Sequence, residues 1–170
     1  MTLNDIYQLK ITLIGTDVWR RVLVPAGMSL GQLHNVIQLA MGWEDVHLHE
    51  FRIGRHHYGL EEPGCLDERR FRLSDVLPKK GSKAEYTYDF GDGWEHVIRV
   101  EKLATSELGV VYPVCTGGRL EPPPEDCGGP IGYYKLLDEA VEPDPTRFSV
   151  DAVNVRLAPL RQGPIIARIM

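Results

Sequence analysis

The 170 residues contain no Cys-x-x-Cys pair, no phosphate-cradling glycine loop, and no apolar run approaching the ~18 residues of a membrane-spanning helix. The first absence excludes a thiolate zinc knuckle, the second a P-loop or dinucleotide fingerprint, and the third a membrane span. Cysteine is scarce: Cys65, Cys115 and Cys127 are odd in number and irregularly spaced, so free thiols are expected rather than a disulfide framework. An excess of positive charge is also missing, the formal net charge being -5. Affinity for nucleic acid comes largely from phosphate neutralisation by Lys and Arg, so a duplex-coating surface is not expected. The charge is uneven, with 11 basic and 10 acidic side chains over residues 1–83 against 8 and 14 over residues 84–170. Met1 to Asp17 lacks the basic start and apolar stretch of a secretory signal, which points to a cytoplasmic protein.

What is present is ordinary globular usage, 43% hydrophobic and 25% charged, enough for one domain over residues 1–170 with its own core. Tyr7, Leu9, Ile11 and Leu13 alternate with polar residues, and after Gly15-Thr16-Asp17 a second strand runs from Val18 to Val24, predicting a hairpin. Ser29 is a helix N-cap; Leu30, Leu33, Val36, Ile37, Ala40 and Met41 follow at helical spacing and Gly42 is the stop, predicting a helix over 30–41. His47 to Ile53 reads as a strand, followed by an exposed, mobile excursion through Arg70. Two alternating runs flank Gly91-Asp92-Gly93, and pairing Phe90 with Trp94 sets Tyr88 against His96 and Tyr86 against Ile98 in a second hairpin. That register places Tyr88, Phe90, Trp94 and His96 on one face, expected to bury against the Leu33/Ile37 side of the helix. Residues 113–130 read as loop, Pro130 opens a helix to about Val141 with Leu136, Leu137, Ala140 and Val141 as its stripe, and Ser149 or Asp151 caps a last short helix.

Two segments carry a resemblance. Tyr88-Asp89-Phe90-Gly91-Asp92-Gly93-Trp94-Glu95-His96, followed by Pro122-Pro123-Pro124-Glu125-Asp126-Cys127-Gly128-Gly129-Pro130 and Gly132-Tyr133, resembles the plasmid pRiA-type ORF-three-like family, also described as insertion-element passenger TnpR-like proteins. The likeness extends to Trp43 through Phe51 and Phe148 through Leu157. It implies an α+β domain found in bacteria, archaea and mobile elements, and it implies no particular reaction. No recombinase site with an arginine cluster is present. Pro122 stands where many relatives are expected to carry cysteine, which weakens a shared thiolate metal site built on Cys115 and Cys127.

Several polar groups have both a functional and a structural reading. The expected register sets Asp89 opposite Glu95, an unfavourable pairing of like charges, with Asp92 in the loop between, and such carboxylates suit a hard divalent cation. A turn-capping role for Asp92 is the plainer alternative. His47 and His49 share a strand face and have the spacing of two imidazole ligands, although Phe51 and Ile53 on the same face favour a core role. His96, set against Tyr88, is either half of a buried Tyr–His hydrogen bond or a general base. Glu125 and Asp126 are either an acid/base pair or the negative charge at a helix start.

The combined expectation is an α+β fold: a mixed sheet built from two hairpins with a helix packed across it, β-grasp-like, plus a helical C-terminal part. The expected function is an interaction or ligand-binding module rather than an enzyme, because no nucleophile–base pair or strict metal motif is present. The alternatives are a metal-dependent hydrolase or nuclease using His47, His49, Asp89, Asp92 and His96, and a nucleic-acid accessory using Arg69, Arg70, Arg72, Lys79, Lys80 and Lys83. A site, if present, is expected where the Gly91-Asp92-Gly93 turn, the His47/His49 strand end and the Pro122–Gly129 loop converge.

Overall fold

The computed structural model describes residues 5–60, 63–139 and 148–161. The opening alternation produces strands β1 (Ile6–Leu13) and β2 (Trp19–Pro25), an antiparallel hairpin that buries Tyr7, Leu9, Ile11, Leu13, Val22 and Val24 on one face. Helix α1 (Leu30–Met41) lies across that face with both ends at the expected residues. Ser29 Oγ accepts from Gln32 N while Gln32 Oε1 accepts from Ser29 N, a reciprocal capping box, and Gly42 at φ 70° returns its N–H to the carbonyls of Gln38 and Leu39. The larger apolar residues of its buried stripe each contribute about 1.5–3 kcal/mol by leaving water.

Strands β3 (His49–Ile53) and β4 (His56–Gly59) form another hairpin, and β5 (Leu66–Asp67) pairs parallel with β4. A 3-10 turn (Glu68–Arg70) and the short helix α2 (Leu73–Val76) follow. The expected mobile excursion is therefore largely regular structure, because Ser29 bridges to Arg72 and the turn packs on the first turn of α1. Strands β6 (Lys83–Tyr88), β7 (Trp94–Ala104) and β8 (Val114–Arg119) complete an eight-stranded sheet in the order β5-β4-β3-β6-β7-β1-β2-β8. Helices α3 (Gly129–Glu139) and α4 (Val150–Arg161) complete a mixed α+β fold larger than the two-hairpin, β-grasp-like sheet expected. Among the described residues, no helix is long and apolar enough to cross a membrane.

The β6–β7 register differs from expectation by two residues. Tyr88 faces Trp94, Tyr86 faces His96 and Ala84 faces Ile98, so the loop is five residues long and Phe90 is 48% exposed. Asp89 causes this shift: at φ 62° it leaves the strand, its N–H donates to Leu48 O, and its carbonyl accepts from Gly93 N. A shift of two preserves the face, so Tyr86, Tyr88, Trp94 and His96 still bury. Glu95 consequently faces Thr87, and the like-charge pairing with Asp89 does not occur.

The stretch expected to be loop contains β8, which is held at its outer side by α4: Asn154 Oδ1 accepts from Cys115 N while Asn154 Nδ2 donates to Cys115 O. Arg20 is wholly buried beneath it, donating to the carbonyls of Trp19, Ala40, Arg119 and Leu120 with no carboxylate partner among the described residues, and burial lowers its pKa to about 10. Helix α3 buries Tyr133 while Leu136 is exposed, and the expected Ala140 and Val141 lie outside the described residues. Ser149 caps α4 by accepting from Ala152 N. No disulfide joins Cys65, Cys115 and Cys127 to one another.

Candidate functional site

At one end of the sheet, three loops meet. The loop after α1 carries Trp43 to His47, the β6–β7 loop carries Asp89 to Gly93, and the Pro-rich loop carries Pro122 to Gly128. Trp43 stacks on Tyr88 and Trp94 and donates from Nε1 to Pro123 O at 2.9 Å. The Tyr88 hydroxyl accepts from Val46 N and donates to Glu125, whose other oxygen accepts from Glu44 N at 2.8 Å. Burial, followed by that carboxylate, raises the Tyr88 pKa. Asp92 Oδ2 accepts from Gly128 N, and Gly129, at φ 69°, lies so close to Asp92 O that a Cβ would collide with it.

This docking puts Asp126 beside His47: Nε2 of the imidazole lies 2.8 Å from Asp126 Oδ1 and 3.5 Å from Asp89 Oδ2. Asp89 is 7% exposed, and its Oδ1 accepts from Gly91 N and Asp92 N, which fixes the direction of Oδ2. Asp89 and Asp126, at φ 62° and 57°, both adopt the left-handed conformation that Asp tolerates and most side chains avoid.

A second constellation lies between α1 and β3, lining a cavity of about 510 Å³ whose walls include Ser29, Gln32, Asn35, Asp45, His47 and Leu48. His34 and His49 stack there with ring centroids 3.5 Å apart and planes 9° from parallel. Each imidazole has a carboxylate: His34 Nε2 is 2.8 Å from Asp45 Oδ1, and His49 Nε2 is 2.7 Å from Glu68 Oε1. The Asp45 N–H donates to Gln38 Oε1, Gln38 Nε2 donates to the Tyr86 hydroxyl, and that hydroxyl donates to His34 Nδ1 at 2.6 Å. The ring closes when His34 Nε2–H donates to Asp45, which assigns the His34 tautomer. Burial, and then the neighbouring His49, lower the His34 pKa. Glu68 is 2% exposed and its Oε2 abuts Gly31, so its charge sits at the first turn of a helix that has no acidic residue of its own there. A side chain at Gly31 would crowd that carboxylate.

The sequence candidates thus separate into groups. His47, Asp89 and Asp126 come together, while Asp92 and Glu125 hold the loops around them. His49 belongs with His34 and Glu68 rather than with His47, and the two do not share one ligand set. His96 is apart from both: it is buried, its Nδ1 bonds Tyr86 O at 3.2 Å instead of a Tyr88 hydroxyl, and burial lowers its pKa to about 4. Glu95 lies in an opening on the other side of the sheet with Glu50, Arg52 and His57. Cys115 and Cys127 enter no metal-competent cluster among the described residues. His34, Asp45, Gln38 and Glu68 were not singled out from sequence, although His34 and Gln38 stand four apart inside the apolar stripe of α1, and a polar pair there is itself a signal.

The whole arrangement has counterparts. Residues 5–153 match the family model described as plasmid pRiA4b ORF-3-like protein. The uncharacterized protein y4hQ of Sinorhizobium fredii is 39% identical over 146 residues, which cover 82% of this chain and 75% of that one. The crystal structure of the protein of unknown function MM3350 from Methanosarcina mazei Go1 is similar with a TM-score of 0.78 and 35% identity, covering 86% of this chain and 96% of that one.

Proposed function

The chain belongs to the plasmid pRiA4b ORF-3-like family, and from that premise we propose that it is a ligand-binding module whose ligand, a small polar organic molecule, enters the cavity between α1 and β3. The observation that carries this reading is the pair of stacked, buried histidines, each held by a carboxylate, at the wall of that cavity. Burying paired titratable groups is a weak way to stabilise a fold, since apolar residues of the same size do as well or better. Partnered titratable groups facing a cleft, here with the His34 pKa lowered by burial, are instead characteristic of binding sites. The acidic balance of the chain weighs against nucleic acid as the ligand.

The test is thermal unfolding of the wild type and of Asn35→Trp against nucleosides, organic phosphates, amino acids and sugars, each at millimolar concentration. Asn35 is an exposed cavity-wall residue of α1, so tryptophan there fills the cavity without touching the core. A ligand at a hundredfold its Kd stabilises by about 2.7 kcal/mol. At least one class is expected to raise the wild-type midpoint and leave Asn35→Trp unmoved. No response from any class, or an equal response in both proteins, overturns the reading.

A further inference from the structure

We propose that His47, Asp89 and Asp126 form a binding site for a divalent first-row transition ion, with His47 Nε2, Asp89 Oδ2 and Asp126 Oδ1 as the protein ligands. This site adjoins the cavity proposed above, of which His47 is also a wall, but it rests on different observations and does not require a ligand there. The three atoms come from three different loops and lie within 4.8 Å of one another. Ligand atoms about 2.0–2.2 Å from a common ion sit about 3.0–3.5 Å apart in octahedral or tetrahedral coordination. The observed 2.8 Å and 3.5 Å separations bracket that range.

The imidazole nitrogen carries the inference furthest. His47 Nε2 is shielded from solvent and yet makes no hydrogen bond, although Asp126 Oδ1 is within reach. The contact with that oxygen is close but not aligned as a hydrogen bond, which leaves the nitrogen's ligand position uncommitted beside two carboxylates. The surroundings fix the other ligands too. Backbone N–H groups of Gly91 and Asp92 hold Asp89 from behind, and the Asp92–Gly128 and Tyr88–Glu125 contacts set the loop that presents Asp126. Among the described residues, no Lys or Arg forms an ion pair with Asp89, Asp92, Glu125 or Asp126, and His47 is the basic group beside them.

The neighbouring His34–Asp45–His49 cluster fails the same examination. Its imidazole planes are nearly parallel and 3.5 Å apart, so an ion in the plane of one ring lies far out of the plane of the other. Its polar atoms are also already engaged, His34 and Asp45 in the closed ring with Gln38 and Tyr86, and His49 Nε2 with Glu68. One imidazole with two carboxylates suits Mn²⁺, Fe²⁺ or Zn²⁺ better than Ca²⁺, which takes six to eight oxygens, or Mg²⁺, which keeps most of its waters.

The experiment is calorimetric titration of the chelator-treated full chain with Mn²⁺ and Zn²⁺, and separately with Mg²⁺ and Ca²⁺. One equivalent of Mn²⁺ or Zn²⁺ should bind, at least tenfold more tightly than Mg²⁺ or Ca²⁺. Asp126→Asn, at a side chain 68% exposed, keeps the fold and should weaken binding at least tenfold, as should His47→Gln. Glu95→Gln, on the other side of the sheet, should bind as the wild type does. No binding heat for any ion leaves His47 as no more than a polar neighbour of Asp126 and overturns the proposal. Binding that survives both Asp126→Asn and His47→Gln, or a preference for Mg²⁺ or Ca²⁺, overturns it equally.

Discussion

Replacing the His49–Glu68 pair tests why two titratable groups are buried together. Glu68 is 2% exposed, packs against Gly31 at the start of α1, and accepts at 2.7 Å from an imidazole stacked on His34. Glu68→Leu alone removes one partner and leaves the other polar and buried, which costs about 3–5 kcal/mol. His49→Phe alone keeps the stack but orphans the carboxylate, with a cost of the same order. In the double variant neither orphan remains, and apolar replacement of a buried pair is close to neutral. Urea unfolding followed by tryptophan fluorescence reads this directly. With a slope of about 2 kcal/mol per molar, each single variant should unfold about 2 M earlier, and the double variant within about 0.5 M of wild type. A double variant as unstable as the two singles added together would show that the pair is part of the fold's own support. The inference that a ligand retains it would then fail.

Other outcomes are open to measurement. His96 has its pKa lowered to about 4 in the folded chain against about 6.5 unfolded, so its contribution is complete above pH 6.5 and is lost as pH falls towards 4. Unfolding free energy should drop by about 1.4 kcal/mol per pH unit across that window from this group, and His96→Leu should lose that component; parallel pH profiles would refute the assignment. Trp94→Ala, at a wholly buried side chain stacked on Trp43, should cost roughly 3–5 kcal/mol, and an unchanged denaturant midpoint would contradict that packing. Gly129→Ala pushes a methyl group into Asp92 O from a positive φ, so it should release the Pro-rich loop and expose the Trp43 indole to fluorescence quenchers. Quenching identical to wild type would mean that the loop is not docked through that contact.

Legibility from sequence followed the range of the determining interactions. Helix α1 was readable to the residue because Ser29 and Gly42 are local signals, while the Gln32 side that completes the cap came from the structure. The β6–β7 face was readable because alternation reports it, whereas the register was not: a shift of two leaves the pattern intact, and the deciding bond runs from Asp89 N to Leu48, on a distant strand. Strand β8 reads Val-Cys-Thr-Gly-Gly-Arg, where the Gly-Gly pair cuts short the strand preference of Val and Thr, and it forms where β2, Arg20 and Asn154 make a place for it. At the site, His47, Asp89 and Asp126 stood out as polar residues the core pattern did not explain, and so did Glu95 and His96, which the fold places elsewhere. Glu68 was hidden because nothing near it in the chain signals that it will be buried against a helix 37 residues earlier, at Gly31.

The amide of Asn154 has a consequence for the protein among its own copies. By taking both the N–H and the C=O of Cys115, it imitates one residue of a ninth strand on the outer margin of the sheet. A bare margin of that kind is a template on which another chain can extend, the usual first step of fibrillar association. Here the template is capped by a side chain anchored in a helix, and the opposite margin, β5, has only two residues to offer. Growth of a shared sheet from β8 would first require α4 to leave the core, so for this margin resistance to aggregation is tied to how firmly Val153 and Leu157 hold that helix down.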